Sequence, residues 1–101
     1  MMKVSTEFRK GVFFVRLVGR NGNGSEIKKI LNVIEELEIK FVVFNLTNVD
    51  DISMEELNTI NCFLKKDENR KILFVEDKRK NRLFPNIFPN IKREIDAFLY
   101  L

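Results

Sequence analysis

Histidine is absent from this chain. Without it go the commonest general base, the Ser-His and Cys-His nucleophilic pairs and the commonest metal ligand, and with them most hydrolase templates. The single cysteine, Cys62, has no partner for an internal disulfide. At a helical position beside Phe63 it reads as a small core or boundary residue, since the sequence sets no cationic neighbourhood next to it. Long apolar runs are also missing, because Lys, Glu or Asn interrupts them every few positions, so no stretch suits a membrane span. The start, MMKVSTEFRKG, has neither the apolar segment nor the small-residue cleavage site of a secretory signal, which makes the cytoplasm the expected address. Proline occurs only as Pro85 and Pro89, which limit any helix in NRLFPNIFPN to about a turn. The glycines of GRNGNG, 19–24, do not have the G-x-G-x-x-G spacing, and no Gly-Lys-Ser/Thr follows, so they do not make a phosphate cradle.

What the chain does have suits one compact domain, 1–101: 101 residues, 45% of them hydrophobic, with ten phenylalanines. Charged residues make up 33%, and 18 Lys and Arg against 15 Asp and Glu leave a net charge of +3. The densest basic run, Lys78, Arg79, Lys80 and Arg82, reads as a solvated loop. Its alternative is a surface for phosphate, nucleic acid or an acidic partner. No aromatic is interleaved there to stack on bases.

Hydrophobic periodicity switches between two and 3.6 along the chain. KVSTEF, 3–8, alternates Val4, Thr6 and Phe8 with Lys3, Ser5 and Glu7, the pattern of a half-buried edge strand. GVFFVRLVG, 11–19, follows a turn at Arg9-Lys10-Gly11, so the two strands should form an antiparallel hairpin. After the turn chemistry of RNGNG, Ser25 stands where an N-cap belongs, and Ile27, Ile30, Leu31, Ile34 and Leu37 make one helical stripe. FVVFNL, 41–46, is apolar on both faces, as befits a central strand, and a crossover through the helix sets it parallel to 12–18. A second helix is predicted over 53–66 with Leu57, Ile60 and Leu64 inward, then a strand in KILFVED, 71–77. A closing helix in KREIDAFLYL uses the spacing of Ile91, Ile95 and Phe98. The fold class is therefore α/β: a mixed central sheet of four to five strands with three or so packed helices and an N-terminal antiparallel hairpin.

Between the central strand and the second helix stands NVDDISMEEL, 48–57. Ser53, Met54, Glu55 and Glu56 form S-x-x-E, a capping box in which the Ser53 hydroxyl accepts from the Glu56 amide and the Glu56 carboxylate reaches back to the Ser53 amide. Asp50, Asp51, Glu55 and Glu56 together offer oxygen ligands, yet acids at a helix entrance answer to the positive end of the helix dipole. No metal, cofactor or catalytic constellation is expected.

The order and spacing from FFVRLVGR through a helix to KFVVFNLTNVDDISMEEL and then KILFVED resemble a STAS domain, the SpoIIAA-like fold of bacterial anti-sigma factor antagonists, stressosome subunits and the cytoplasmic tails of sulfate transporters. The likeness covers about three quarters of the chain. It rests most on G-V-x-x-V-R-L-x-G, 11–19, and on the strand 41–46 leading through Asn48 and Val49 to Ile52 and Leu57. IKREIDAFLYL is similar to the family's last helix, in which an acidic turn precedes an alanine-containing apolar face.

The resemblance implies a regulatory protein–protein interaction module. In phosphorylatable members the strand-to-helix turn reads roughly Ile-Asp-Ser-Ser-Gly-Leu, and a kinase modifies the serine after the aspartate. Here Ile52 and Leu57 frame Ser53, Met54, Glu55 and Glu56, so methionine takes the phosphoacceptor position and Glu56 replaces the glycine. Ser53 remains a weak displaced phosphosite, and Glu55 with Glu56 a partial mimic of a phosphorylated turn, although a phosphoserine carries nearly two charges. Docking without phosphorylation is the leading reading. Its partner surface comprises Asn48, Asp50, Asp51, Ser53, Met54, Glu55 and Glu56 with Asn23 of the neighbouring loop, all at the carboxyl edge of the parallel strands. The implied partner is an anti-sigma factor, a switch kinase or another STAS protein. The C-terminal quarter departs from the family, because only KRKNRLF precedes Pro85 where a full helix is usual. That shortening predicts self-association through Leu83, Phe84, Ile87 and Phe88 or a partner docking on them, or else their use in closing the core. The runner-up function is a small nucleic-acid- or phosphate-binding protein using 78–82.

Overall fold

The computed structural model describes residues 2–19, 25–49, 59, 60, 62, 63, 66, 69–75 and 90–100. The chain opens with β1 (Met2–Arg9) and β2 (Val12–Gly19), paired antiparallel in unbroken register from Met2↔Gly19 to Arg9↔Val12. Lys10 at φ 51° and Gly11 at φ 83° make the two-residue turn between them. Two successive left-handed residues give the type I′ geometry whose twist matches paired strands. A Cβ at Gly11 would meet nothing within 4 Å, so the backbone angle and not space favours glycine.

Helix α1 (Ser25–Glu36) carries the chain to β3 (Phe41–Val49), which pairs parallel with β2. Next come β4 (Lys71–Val75), parallel to β3, and β5 (Asn90–Ile91), parallel to β4. The sheet order is β1-β2-β3-β4-β5, so the expected mixed sheet with its N-terminal hairpin and central 41–46 strand is present. Among the described residues the helices are α1, the helical residues at 59–60 and 62–63, and a closing 3₁₀ helix (Glu94–Tyr100).

Both faces of the middle strands, β2, β3 and β4, are covered. On one, Phe13, Val15 and Leu17 of β2, Val42, Phe44 and Leu46 of β3, and Ile72 and Phe74 of β4 pack against Ile27, Leu31 and Ile34 of α1. Ile60 and Phe63 belong to the same cluster. On the other face, Val12, Phe14, Phe41, Val43, Leu73 and Val75 pack with Ile91, Ala97 and Phe98. Period-two alternation in strands with both sets apolar is what a two-sided core requires.

The structure corrects four sequence expectations. Leu37 is 66% exposed, because α1 has already ended at Glu36. The amide of Ile39 donates to the Ile34 carbonyl and that of Glu38 to Glu35, with Glu38 at φ 54°, which is a Schellman closure that turns the chain before Leu37 can join the stripe. The closing segment is 3₁₀, not the helix whose spacing joined Ile91, Ile95 and Phe98. Ile91 lies in β5, and the tighter turn leaves Ile95 63% exposed while burying Ala97 and part of Phe98. Cys62 is exposed, because neighbouring Phe63 turns inward instead. Among the described side chains of β1, Val4 is partly buried against the core cluster, while Phe8 is 60% exposed although its ring meets Phe13 at 6.2 Å. Leu57 and Leu64, the basic run 78–82 and the apolar group Leu83, Phe84, Ile87 and Phe88 lie outside the described residues.

Candidate functional site

Strands β2 and β3 end side by side. After a register shift between Arg16 and Val18, Val18 pairs with Asn48 and Gly19 with Val49. Parallel pairing therefore brings the ends of both strands to the same sheet edge. Val49 is 3% exposed and anchors the end of β3, while Asn48 is exposed and Val18 is 43% exposed. Gly19 sits at φ 106°, a conformation open to glycine where β2 leaves the sheet. Of the predicted partner-binding residues, Asn48 alone is described. Asp50, Asp51, Ser53, Met54, Glu55, Glu56 and Asn23, and with them the capping box and the phosphoacceptor position, lie outside the described residues.

One turn of strand back from that edge, on the face covered by the 3₁₀ helix, the apolar rows of β2 and β3 give way to polar side chains. Arg16 follows Val12 and Phe14 along β2, and Asn45 follows Phe41 and Val43 along β3. Glu94, the first residue of the 3₁₀ helix, fits between them. Arg16 Nε donates to Glu94 Oε2 at 2.9 Å and Nη2 to Oε1 at 2.7 Å. Asn45 Nδ2 donates to Oε2 at 2.6 Å, and Asn45 Oδ1 accepts from the Thr47 amide at 3.0 Å and the Thr47 hydroxyl at 2.7 Å. Arg16 Nη1 also donates to Glu7 Oε1 at 3.3 Å, and Arg9 pairs with the other Glu7 oxygen at 3.3 Å. Four elements, β1, β2, β3 and the 3₁₀ helix, are thus tied by one carboxylate–guanidinium network.

Its electrostatics are fixed. The Glu94 carboxyl titrates below its ordinary range, chiefly because Arg16 donates to it and with a further hydrogen bond from Asn45, against an opposing cost of burial. Arg16 is pushed further up than a free guanidinium by its hydrogen bonds to Glu94. Neither group can exchange a proton near neutrality, so the network holds shape and charge and offers no acid–base chemistry. Beyond it, Phe14 and Phe98 meet edge to face at 5.8 Å, and the Arg9 and Lys10 cations lie 6.0 and 5.8 Å from the Phe98 ring centre. Among the described residues no group of three or more His, Cys, Asp or Glu is arranged to hold a metal ion. No described helix is long and apolar enough to cross a membrane.

Sequence reasoning singled out neither Arg16 nor Asn45 nor Glu94. A signal was available in the two strands: Arg16 within VFFVRLVG and Asn45 within FVVFNL are polar residues on covered rows, and such groups need partners. That the partner would be Glu94 could not be read from spacing.

No family model matches the chain, and no curated protein matches it by sequence. Solved structures do. An anti-sigma factor antagonist from Mycobacterium paratuberculosis superposes with a TM-score of 0.85 at 15% identity, covering 99% of this chain and 93% of that one. A protein of an uncharacterised family with a SpoIIAA-like fold from Shewanella loihica gives 0.59 at 14% identity, over 99% and 93%. Mglu gives 0.59 at 22% identity, over 74% of this chain and 20% of that much longer one. The chain has the STAS-like, SpoIIAA-like fold.

Proposed function

We propose that this protein is a non-catalytic, cytoplasmic regulatory module that binds another protein, in the manner of bacterial anti-sigma factor antagonists, and does so without phosphorylation of the strand-to-helix turn. The observation that carries the reading is the shared fold, over nearly the whole chain, with a protein described as an anti-sigma factor antagonist. The sequence departs from the phosphorylatable pattern at Met54, which has no hydroxyl, and at Glu56, which stands in place of glycine. Recognition then rests on shape and fixed charge. The proposed contact surface is Asn48 with Asp50, Asp51, Ser53, Met54, Glu55, Glu56 and Asn23, around the edge where Gly19 and Val49 pair. The partner is an anti-sigma factor or switch kinase, or another STAS protein. No observation on the described residues favours the nucleic-acid alternative at 78–82.

A tagged pull-down from the source cells, with mass spectrometry of partners and bait, tests this. The native chain should recover a kinase-like anti-sigma factor or another STAS subunit, with the bait unmodified at Ser53, and Glu55→Ala/Glu56→Gly should reduce the yield. Recovery of no protein by the native chain, or a phosphate on Ser53, contradicts the reading.

A further inference from the structure

Strand β1 is the outer strand on its side of the sheet: among the described residues its one sheet neighbour is β2. Its 8 residues contain no proline and keep unbroken register with β2, so their outward amides and carbonyls form a template for another strand. Side chains alternate along it. Lys3, Ser5, Glu7 and Arg9 share the face on which Glu7 meets Arg16, and Val4, Thr6 and Phe8 share the α1 face.

We propose that β1 pairs antiparallel with β1 of a second copy of this chain, about a two-fold axis through Ser5 and perpendicular to the sheet, so that two five-stranded sheets become one. Charge selects that occupant and that register. An axis of this kind keeps both α1 helices on one side and brings residues of like face opposite each other. Centred on Ser5, each Lys3 faces Glu7 of the other copy, and each Val4 faces Thr6. Centred on Thr6, Lys3 would face Arg9; centred on Glu7, two carboxylates would oppose each other. Directly opposed opposite charges stabilise a strand pair and like charges destabilise it. Centring on Phe8 would retain a Glu7–Arg9 pair but leave only residues 7–9 overlapping, and centring on Val4 would retain no ion pair. Glu7 is held ready: Arg16 and Arg9 fix its carboxylate, which is still 38% exposed.

The apolar side agrees. Between β1 and α1 runs an open groove of about 370 Å³ lined by Val4, Thr6, Glu26, Lys29, Ile30 and Val33. Val33 is 37% and Phe8 60% exposed, so apolar surface stands open along this side of the strand. The same step closes both grooves against each other and removes the open sheet edge.

The test is sedimentation or light scattering of the purified chain over a wide concentration range. The native protein should dimerise. Lys3→Glu and Glu7→Lys, each alone, should weaken the dimer about tenfold or more by creating two like-charge pairs. An equimolar mixture of the two variants should restore it, since both cross-strand pairs are then opposite in sign. Because Glu7→Lys also touches Arg16, circular dichroism must first show that it folds. Independently, Ser5→Cys in a Cys62→Ser background should be joined to itself by a short bis-maleimide; Cys62 is replaced because it is exposed. A native chain that stays monomeric throughout overturns the proposal and leaves β1 for a strand of another protein. A dimer indifferent to Lys3→Glu and not captured through residue 5 overturns it as well, by placing the contact elsewhere.

Discussion

Arg16 and Glu94, 78 residues apart in sequence, meet through two parallel hydrogen bonds of 2.9 and 2.7 Å. The pair holds the first residue of the closing 3₁₀ helix onto the middle of the sheet, and Asn45 completes it from the neighbouring strand. The end of the chain is thereby fixed to its beginning, close to the edge proposed to receive the partner.

Removing that carboxylate should loosen the sheet's second face. Glu94→Gln keeps the size but leaves Arg16 without its charged acceptor, and is expected to cost about 1–3 kcal/mol, the range for a partly buried charged hydrogen bond. Urea denaturation followed by circular dichroism reads it as a lower midpoint with an unchanged slope.

The same variant predicts a pH dependence. Glu94 titrates lower in the folded chain than in the unfolded one, so its stabilisation is complete above the ordinary glutamate value of about 4.3 and is lost as pH falls through the folded value. The stability gap between the native chain and Glu94→Gln should be level from neutral pH to about pH 5.5, then narrow below about pH 4.5. A gap independent of pH down to unfolding would show that the carboxylate's charge contributes nothing.

Asn45→Asp places a second carboxylate where Nδ2 now donates to Glu94 at 2.6 Å. It turns a hydrogen bond into a like-charge contact, and should destabilise by about 1–3 kcal/mol at neutral pH, with part of the loss recovered in mild acid. Paired urea titrations at pH 7 and 5 measure both numbers.

At the end of α1, Glu38 holds φ 54° in the Schellman closure. A residue with a Cβ pays for that conformation, so Glu38→Gly should raise stability by about 0.5–1 kcal/mol. In the core, Phe44 and Phe74 stack at 5.5 Å between ring centres and are 0% and 1% exposed. Phe44→Ala is accordingly expected to cost about 3–5 kcal/mol. Thermal melts of the two variants should move in opposite directions.

Much of the architecture was legible in local chemistry. The short turn Arg9-Lys10-Gly11 between two strand-like stretches announces a hairpin, and a doubly apolar FVVFNL announces a covered central strand. Boundaries failed where tertiary geometry decided them. Leu37 continues a helical stripe in sequence, but the Glu38 turn takes it into solvent. Ile95 fits 3.6 periodicity, but a 3₁₀ helix tethered through Glu94 has a different inward row. Arg16, Asn45 and Glu94 were hidden because a network spanning two strands and a distant helix has no spacing rule. Asn48 was predicted at the sheet's carboxyl edge and is found there, exposed.

We propose that a partner binds at that edge without phosphorylation. The most direct test is hydrogen exchange on the chain alone and on the complex recovered from source cells, with intact mass measured on the bound chain. The account expects slowed exchange over 48–56 and 20–24 in a bound chain of unmodified mass. Protection confined to other segments, or a bound chain heavier by a phosphate, would contradict it.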